Sequence, residues 1–166
     1  MPGLSNDYVE KLMFKLSLNQ EKFNGVKTCD IFLKDIEQNH YSLVEGDSIN
    51  INLSSSNNTG SHFISLYIPS KTQAEYFDSF ALPSFDSNIN KAMQAANLKV
   101  TEFKTPIQDF SSQFCGLYCI AFLIWRQLGL EKAKFAQLFY DTSRLRNDFI
   151  VLELLKLYIE EKDNHL

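Results

Sequence analysis

Four residues carry the chemistry this chain could perform: His62, Asp78, Gln108 and Cys115. Cys115-Gly116 stands where a polar loop, Thr105 to Phe114, gives way to an apolar run, Leu117 to Trp125. The run is too short for a bilayer, which needs ~20 apolar residues. Its length and the stop at Gly129 predict a buried helix with a glycine C-cap. Cys115 then sits at a helix N-terminus, where unpaired N–H groups and a partial positive charge favour a thiolate. Gly116, lacking a side chain, reads as a place where a substrate backbone comes close to the sulfur. A lone cysteine in apolar surroundings is ordinarily a core thiol, so a functional reading depends on its partners.

A thiol hydrolase needs a base for the thiol, a group that orients the base, and donors for the oxyanion. His62 opens an alternating segment that ends at Pro69, with Ile64, Leu66 and Ile68 on its own face and Phe63, Ser65 and Tyr67 on the other. Glu75 to Asp78 is a short second strand, joined to the first by polar Ser70 to Gln73, which predicts an antiparallel hairpin. His62 and Asp78 lie at the open end of that hairpin, within hydrogen-bond reach. Gln108 lies 7 residues before Cys115, and its amide can donate to an oxyanion beside the Cys115 backbone N–H. Taken singly, each has a plainer reading: a structural histidine, a turn aspartate, a loop glutamine. Gln113 competes with Gln108 for the donor role. A metal site from Cys115, Cys119 and His62 lacks a second Cys/His pair at zinc spacing, so neither metal nor cofactor is expected.

The flanking elements follow from periodicity. Ser5 to Leu16 reads as an amphipathic helix with Tyr8, Val9, Leu12, Met13 and Leu16 at helical spacing behind a Ser5 or Asn6 cap. Val26 to Leu33 is ambiguous between strand and short helix, with Cys29 in the core. Ser48 to Leu53 alternates as a half-buried strand, and polar Ser54 to Ser61 is a loop. Ser84 or Asp86 caps a helix running to about Ala96, and Leu98 to Lys104 is a strand. Glu131 to Tyr140 and Ser143 to Glu160 read as amphipathic helices, the last with Leu145, Phe149, Leu152, Leu155 and Ile159 inward. No repeat or linker divides residues 1–166, so a single domain is expected.

With 16 Lys plus Arg against 20 Asp plus Glu, the net charge is -4, which gives no support to a nucleic-acid surface. Three cysteines (Cys29, Cys115, Cys119) do not make a disulfide framework. Asp7, Glu10, Lys11 and Lys15 interrupt the first apolar segment, unlike a signal peptide. The expected setting is a reducing, intracellular one, without membrane attachment.

Together the motifs resemble the adenovirus-type cysteine proteases (adenains), whose relatives occur in Maverick/Polinton-type elements and other large DNA viruses. Their wider clan includes proteases specific for SUMO and other ubiquitin-like proteins. The resemblance rests on Gly60-Ser61-His62-Phe63, on Tyr76-Phe77-Asp78-Ser79-Phe80, and on Gln108 to Gly116 with Cys119. It matches a family pattern G-x-H-W, an acidic residue after a Y-F-D-S-F-like strand, and Q-x6-C-G-x2-C. Phe23-Asn24-Gly25-Val26 followed by Asp30 also looks like the family's N-terminal segment. The resemblance implies His62 as general base, Asp78 as its orienting partner, Cys115 as nucleophile and Gln108 in the oxyanion hole. It implies an α+β fold: a central nucleophile-bearing helix packed on a mixed, mostly antiparallel sheet, with surrounding helices. It also implies protein substrates: viral structural precursors matured in the host nucleus, cytoplasm or virion, or conjugates of ubiquitin-like modifiers. A catalytically dead module on this fold is the non-enzymatic alternative. Phe63 departs from the family's tryptophan. The adenovirus enzyme is activated by DNA and by a disulfide-linked peptide. No cysteine lies between Asp78 and Cys115 to take such a peptide, and the acidic balance makes DNA an unexpected partner.

Overall fold

Spatial order follows chain order in the sheet, β1-β2-β3-β4-β5, with one helix between β1 and β2, one between β4 and β5, and a tight turn between β3 and β4. The structure is a computed structural model that describes residues 4–40, 42–56 and 62–164. The strands are β1 (Phe23–Thr28), β2 (Ser48–Asn52), β3 (Phe63–Ser70), β4 (Gln73–Phe77) and β5 (Lys99–Glu102). The helices are α1 (Asn6–Leu16), α2 (Cys29–Glu37), α3 (Ser87–Ala95), α4 (Cys115–Gln127), α5 (Lys132–Ala136) and α6 (Asn147–Asn164). β2, β3 and β4 pair antiparallel. The two outer junctions are parallel, with α2 and α3 making the crossovers, so the sheet is mixed but antiparallel only at its centre.

Both faces of the sheet are covered. One carries α1, α4 and α6 over Phe23, Phe63 and Phe77; the other carries α2 and α3 over Ile49, Ile51, Ile64, Leu66 and Tyr76. This corrects the half-buried reading of β2, which is buried throughout. Its polar residues are partly satisfied: Ser65 Oγ donates to Asn50 Oδ1 and Asn52 Nδ2 donates to Asn6 Oδ1, while the buried Asn50 Nδ2 has no partner. Alternation reports two-faced burial as easily as one, since the second face tolerates polar groups that find partners. The ambiguous segment after Val26 is both things in turn: β1 stops at Thr28 and α2 starts at Cys29.

α1 starts at its expected cap, with Ser5 Oγ accepting from the Tyr8 N–H at 3.2 Å. α3 is capped by Asp86 rather than Ser84; its Oδ1 accepts from Asn88 and Ile89. Pro69 does not end β3, because the register slips between Tyr67 and Ser70 and a proline is tolerated at such an irregularity. α5 is shorter than the stretch Glu131 to Tyr140. α6 differs most: it starts only at Asn147, Leu145 before it and Phe149 and Leu152 on it are exposed, and Val151 joins the expected Leu155 and Ile159 against the core. The polar loop after β2 falls partly on residues 57–61, outside the described residues, as do Gly60 and Ser61 of the motif before His62.

α4 is the centre of the molecule. Cys115 through Ile124 are all buried, and α1, α5, α6 and β3 pack around it. It stops as expected, at Gly129 with φ +76, where the Leu130 N–H reaches back to the Trp125 carbonyl at 3.2 Å.

Candidate active site

Three chain segments converge at the N-terminal end of α4. The first is the entry to β3. His62 immediately precedes it, its carbonyl fixed by the Leu53 N–H at 2.9 Å. The second is the exit from β4. The ladder pairs Ser65 with Phe77, so Asp78 emerges beside the start of β3, and His62 reaches it with its side chain. His62 Nε2 lies 2.7 Å from Asp78 Oδ2. Asp78 is only 1% exposed. Its other oxygen, Oδ1, accepts the Phe80 N–H at 2.8 Å, so a tight turn closed by Ala81 N–H to Asp78 carbonyl locks the carboxylate.

The second side of the imidazole meets Cys115. Burial pulls the His62 pKa down. The hydrogen bond to Asp78, then one to Cys115, and the charges of both outweigh it and raise the pKa to about 9. With Nε2 on Asp78, Nδ1 is the nitrogen left for the thiol. Phe80 stacks on the imidazole at 5.2 Å between ring centroids, and Phe110 stacks on Phe80 at 5.0 Å. His62 is therefore held on one edge by a carboxylate and on one face by an aromatic ring.

The third segment is the 105–114 loop. Gln108 is wholly buried. Its backbone N–H donates to the Ser79 carbonyl at 3.0 Å, and its Oε1 accepts from the Ser79 hydroxyl. Nε2 donates to the carbonyl and the hydroxyl of Ser112, both at 3.1 Å. Gln113, the rival by sequence, is exposed. Glu75, the other acid of the hairpin, is committed elsewhere: Arg126 Nε donates to its Oε2 at 2.7 Å.

Two sequence readings change here. Gly116 does not face a substrate: a Cβ on it would lie 2.9 Å from Val9 Cγ2 and 3.2 Å from Leu4 Cδ1, so the glycine lets α1 pack against α4. Gln108 is not a solvated loop residue, because four hydrogen bonds anchor its backbone and side chain. Sequence reasoning missed Ser79, Ser112 and Asp148 altogether. Ser79 was visible inside the Tyr76–Phe80 motif; Ser112 and Asp148 carried no local signal.

The remaining thiols are structural. Cys119 is fully buried and donates to the Phe63 carbonyl at 3.3 Å; Cys29 donates to the Leu53 carbonyl at 3.3 Å. Burial raises both pKa values. Phe63, where the family pattern has tryptophan, is buried in the main core. Among the described residues no group of three or more His, Cys, Asp or Glu could hold a metal ion, and no helix is long and apolar enough to cross a membrane.

The fold is found in solved cysteine proteases. A protease of ASFV superposes with a TM-score of 0.56 at 14% identity, over 96% of this chain and 67% of its own. The SUMO protease Ulp1, solved with its catalytic cysteine oxidised to a sulfenic acid, gives 0.50 at 11% identity, over 96% of this chain and 78% of its own. No protein-family model and no curated protein matches the sequence. The chain has the fold of the Ulp- and adenain-like cysteine-protease clan.

Proposed function

We propose that the chain is a cysteine peptidase that cleaves peptide or isopeptide bonds in protein substrates through an acyl-enzyme on Cys115. The observation that carries this is His62 held between a buried Asp78 and a cysteine at the N-terminus of the core helix. His62 takes the Cys115 proton, a task for which the carboxylate of Asp78 supports it. The sulfur attacks the scissile carbonyl carbon, and the carbonyl π electrons move to oxygen. The oxyanion is met by the Cys115 backbone N–H and by Gln108 Nε2. Nε2 carries two N–H groups and meets two acceptors on Ser112, so donation to the oxyanion takes one N–H from Ser112 or shares it. His62 then gives its proton to the leaving amine as the C–N bond breaks. Water attacks the thioester, His62 takes its proton, and the Cys115 thiolate leaves. Asp78 keeps the ring oriented throughout.

The substrates we favour are precursor polypeptides of viral structural proteins, a reading supported by the motif resemblance and by the fold shared with the ASFV protease. The fold shared with a SUMO protease supports conjugates of ubiquitin-like modifiers as the second reading. The test is incubation of the purified protein with capsid precursors and with SUMO- and ubiquitin-based reporters, beside Cys115→Ser. Cleavage of one substrate class that Cys115→Ser abolishes is expected. No cleavage of any would favour a non-enzymatic module.

A further inference from the structure

Ser112, Asp148 and Tyr118 stand outside the four residues given roles above, yet their hydrogen bonds converge on Gln108. Ser112 Oγ is approached by the Gln108 amide at 3.1 Å, the Phe114 N–H at 3.3 Å and Asp148 Oδ1 at 2.9 Å. The first two groups can only donate, and an ionised carboxylate can only accept. The single hydroxyl proton of Ser112 therefore goes to Asp148, and its lone pairs face Gln108 and Phe114. The Tyr118 hydroxyl donates to the same Asp148 oxygen at 2.9 Å, fixing that carboxylate from α4. Across the amide, Ser79 donates to Gln108 Oε1. A glutamine side chain has two orientations related by a flip, and here only one satisfies both neighbours: oxygen to Ser79, nitrogen to Ser112.

We propose that Asp148 is a positioning residue for the oxyanion donor: by accepting the Ser112 proton it makes the Ser112 hydroxyl a second acceptor beside the Ser112 carbonyl, which Gln108 Nε2 also meets at 3.1 Å, and so helps hold the amide nitrogen beside the start of α4. The inference rests on the peptidase reading above and adds a residue to it. Asn147, next to Asp148, fixes the same loop by donating to the Ile107 carbonyl at 2.7 Å, so the first turn of α6 clasps the donor loop near both ends. A purely structural account of Asp148 also exists, since a carboxylate in the first turn of a helix is favourable by itself. The experiment has to separate the two.

It is a double-mutant cycle of Asp148→Asn and Gln108→Ala, with kcat and KM measured on a reporter that the wild-type chain cleaves. Asparagine keeps the size but can donate to Ser112, which frees the Ser112 proton and leaves the Ser112 carbonyl alone to hold the amide nitrogen. The expected result is a fall in kcat of up to about 10²-fold with KM unchanged, and no further loss when Asp148→Asn is added to Gln108→Ala. The alkylation rate of Cys115 should be unchanged, because alkylation develops no oxyanion. Ser112→Ala cuts the same link and should give the same pattern, and it serves if Asp148→Asn does not fold. Multiplicative losses in the double variants, or a loss carried by KM, would overturn the inference while leaving the peptidase reading intact. A wild-type chain without Cys115-dependent hydrolysis would sink both.

Discussion

Asp78 and Ser79 are neighbours in the chain and hold opposite halves of the candidate site. Asp78 Oδ2 meets His62 Nε2 at 2.7 Å, and the Ser79 hydroxyl and carbonyl hold the side chain and backbone of Gln108. One dipeptide at the end of β4 thus sets the separation between a proton-transfer group and an oxyanion donor. Both residues are buried, so neither arrangement has room to drift.

Asp78→Asn should leave a folded protein and lower kcat by about three to four orders of magnitude, because asparagine no longer fixes the imidazole tautomer and orientation. Glu75→Gln should do little to kcat. Its cost falls on stability, through the partly buried Arg126 it leaves unpaired. Kinetics and thermal melting of the two variants side by side decide the assignment; a crippling Glu75→Gln with a harmless Asp78→Asn would reverse it.

The raised His62 pKa makes a prediction about stability. A group whose pKa is higher folded than unfolded binds its proton more tightly in the folded state. Its contribution is complete below the unfolded value of 6.5 and is lost as pH rises through about 9. Urea unfolding of the wild type should therefore show stability falling between pH 6.5 and 9. His62→Gln should flatten that part of the profile. An equal decline in both proteins would mean that other groups cause it.

Cys115 should be the first thiol alkylated by stoichiometric iodoacetamide, with loss of activity in step. Cys29 and Cys119 donate to carbonyl oxygens and have raised pKa values, both of which slow a thiol. Peptide mapping of the labelled protein is the measurement. Faster labelling of Cys119 would count against the site.

How far the sequence reveals this molecule depends on whether a signal is local. The α1 cap, the glycine stop after α4 and the β3–β4 hairpin are short-range and read correctly. His62, Asp78 and Cys115 were legible because motif spacing and hairpin geometry bring them together. The inward face of α6 reads only in part from rhythm: Leu155 is buried and Ile159 packs against the core, whereas Phe149 and Leu152 are exposed and Val151, outside that rhythm, is buried. Gly116 was misread because whether α1 or solvent lies over it is a long-range fact. Ser112 and Asp148 meet at 2.9 Å across a separation that no local pattern encodes.

Gly116→Ala tests that correction. The added methyl would sit 2.9 Å from Val9 Cγ2, too close without movement of α1, so a loss of about 1–3 kcal/mol is expected from overpacking. Where the fold survives, kcat should change little, since the contact is with α1 and not with substrate. A large kcat defect at unchanged stability would restore the substrate-facing reading.

The comparison of Gln108→Ala with Gln113→Ala bears on the oxyanion hole directly. A donor acting on charge that appears only in the transition state changes kcat more than KM, and loss of one such donor typically costs about 10²–10³ in rate. Gln108→Ala should show that loss with the Cys115 alkylation rate preserved. It should also lower stability by about 1–3 kcal/mol, because Ser79 and Ser112 lose buried partners. That second effect follows from the burial of Gln108. Melting therefore has to accompany the kinetics, which are read well below the transition temperature. Gln113 is exposed, and its alanine variant should match the wild type in both respects. A kcat defect confined to Gln113→Ala would place the donor on the other glutamine. Wild-type kcat in both variants would leave the oxyanion to backbone N–H groups at the start of α4.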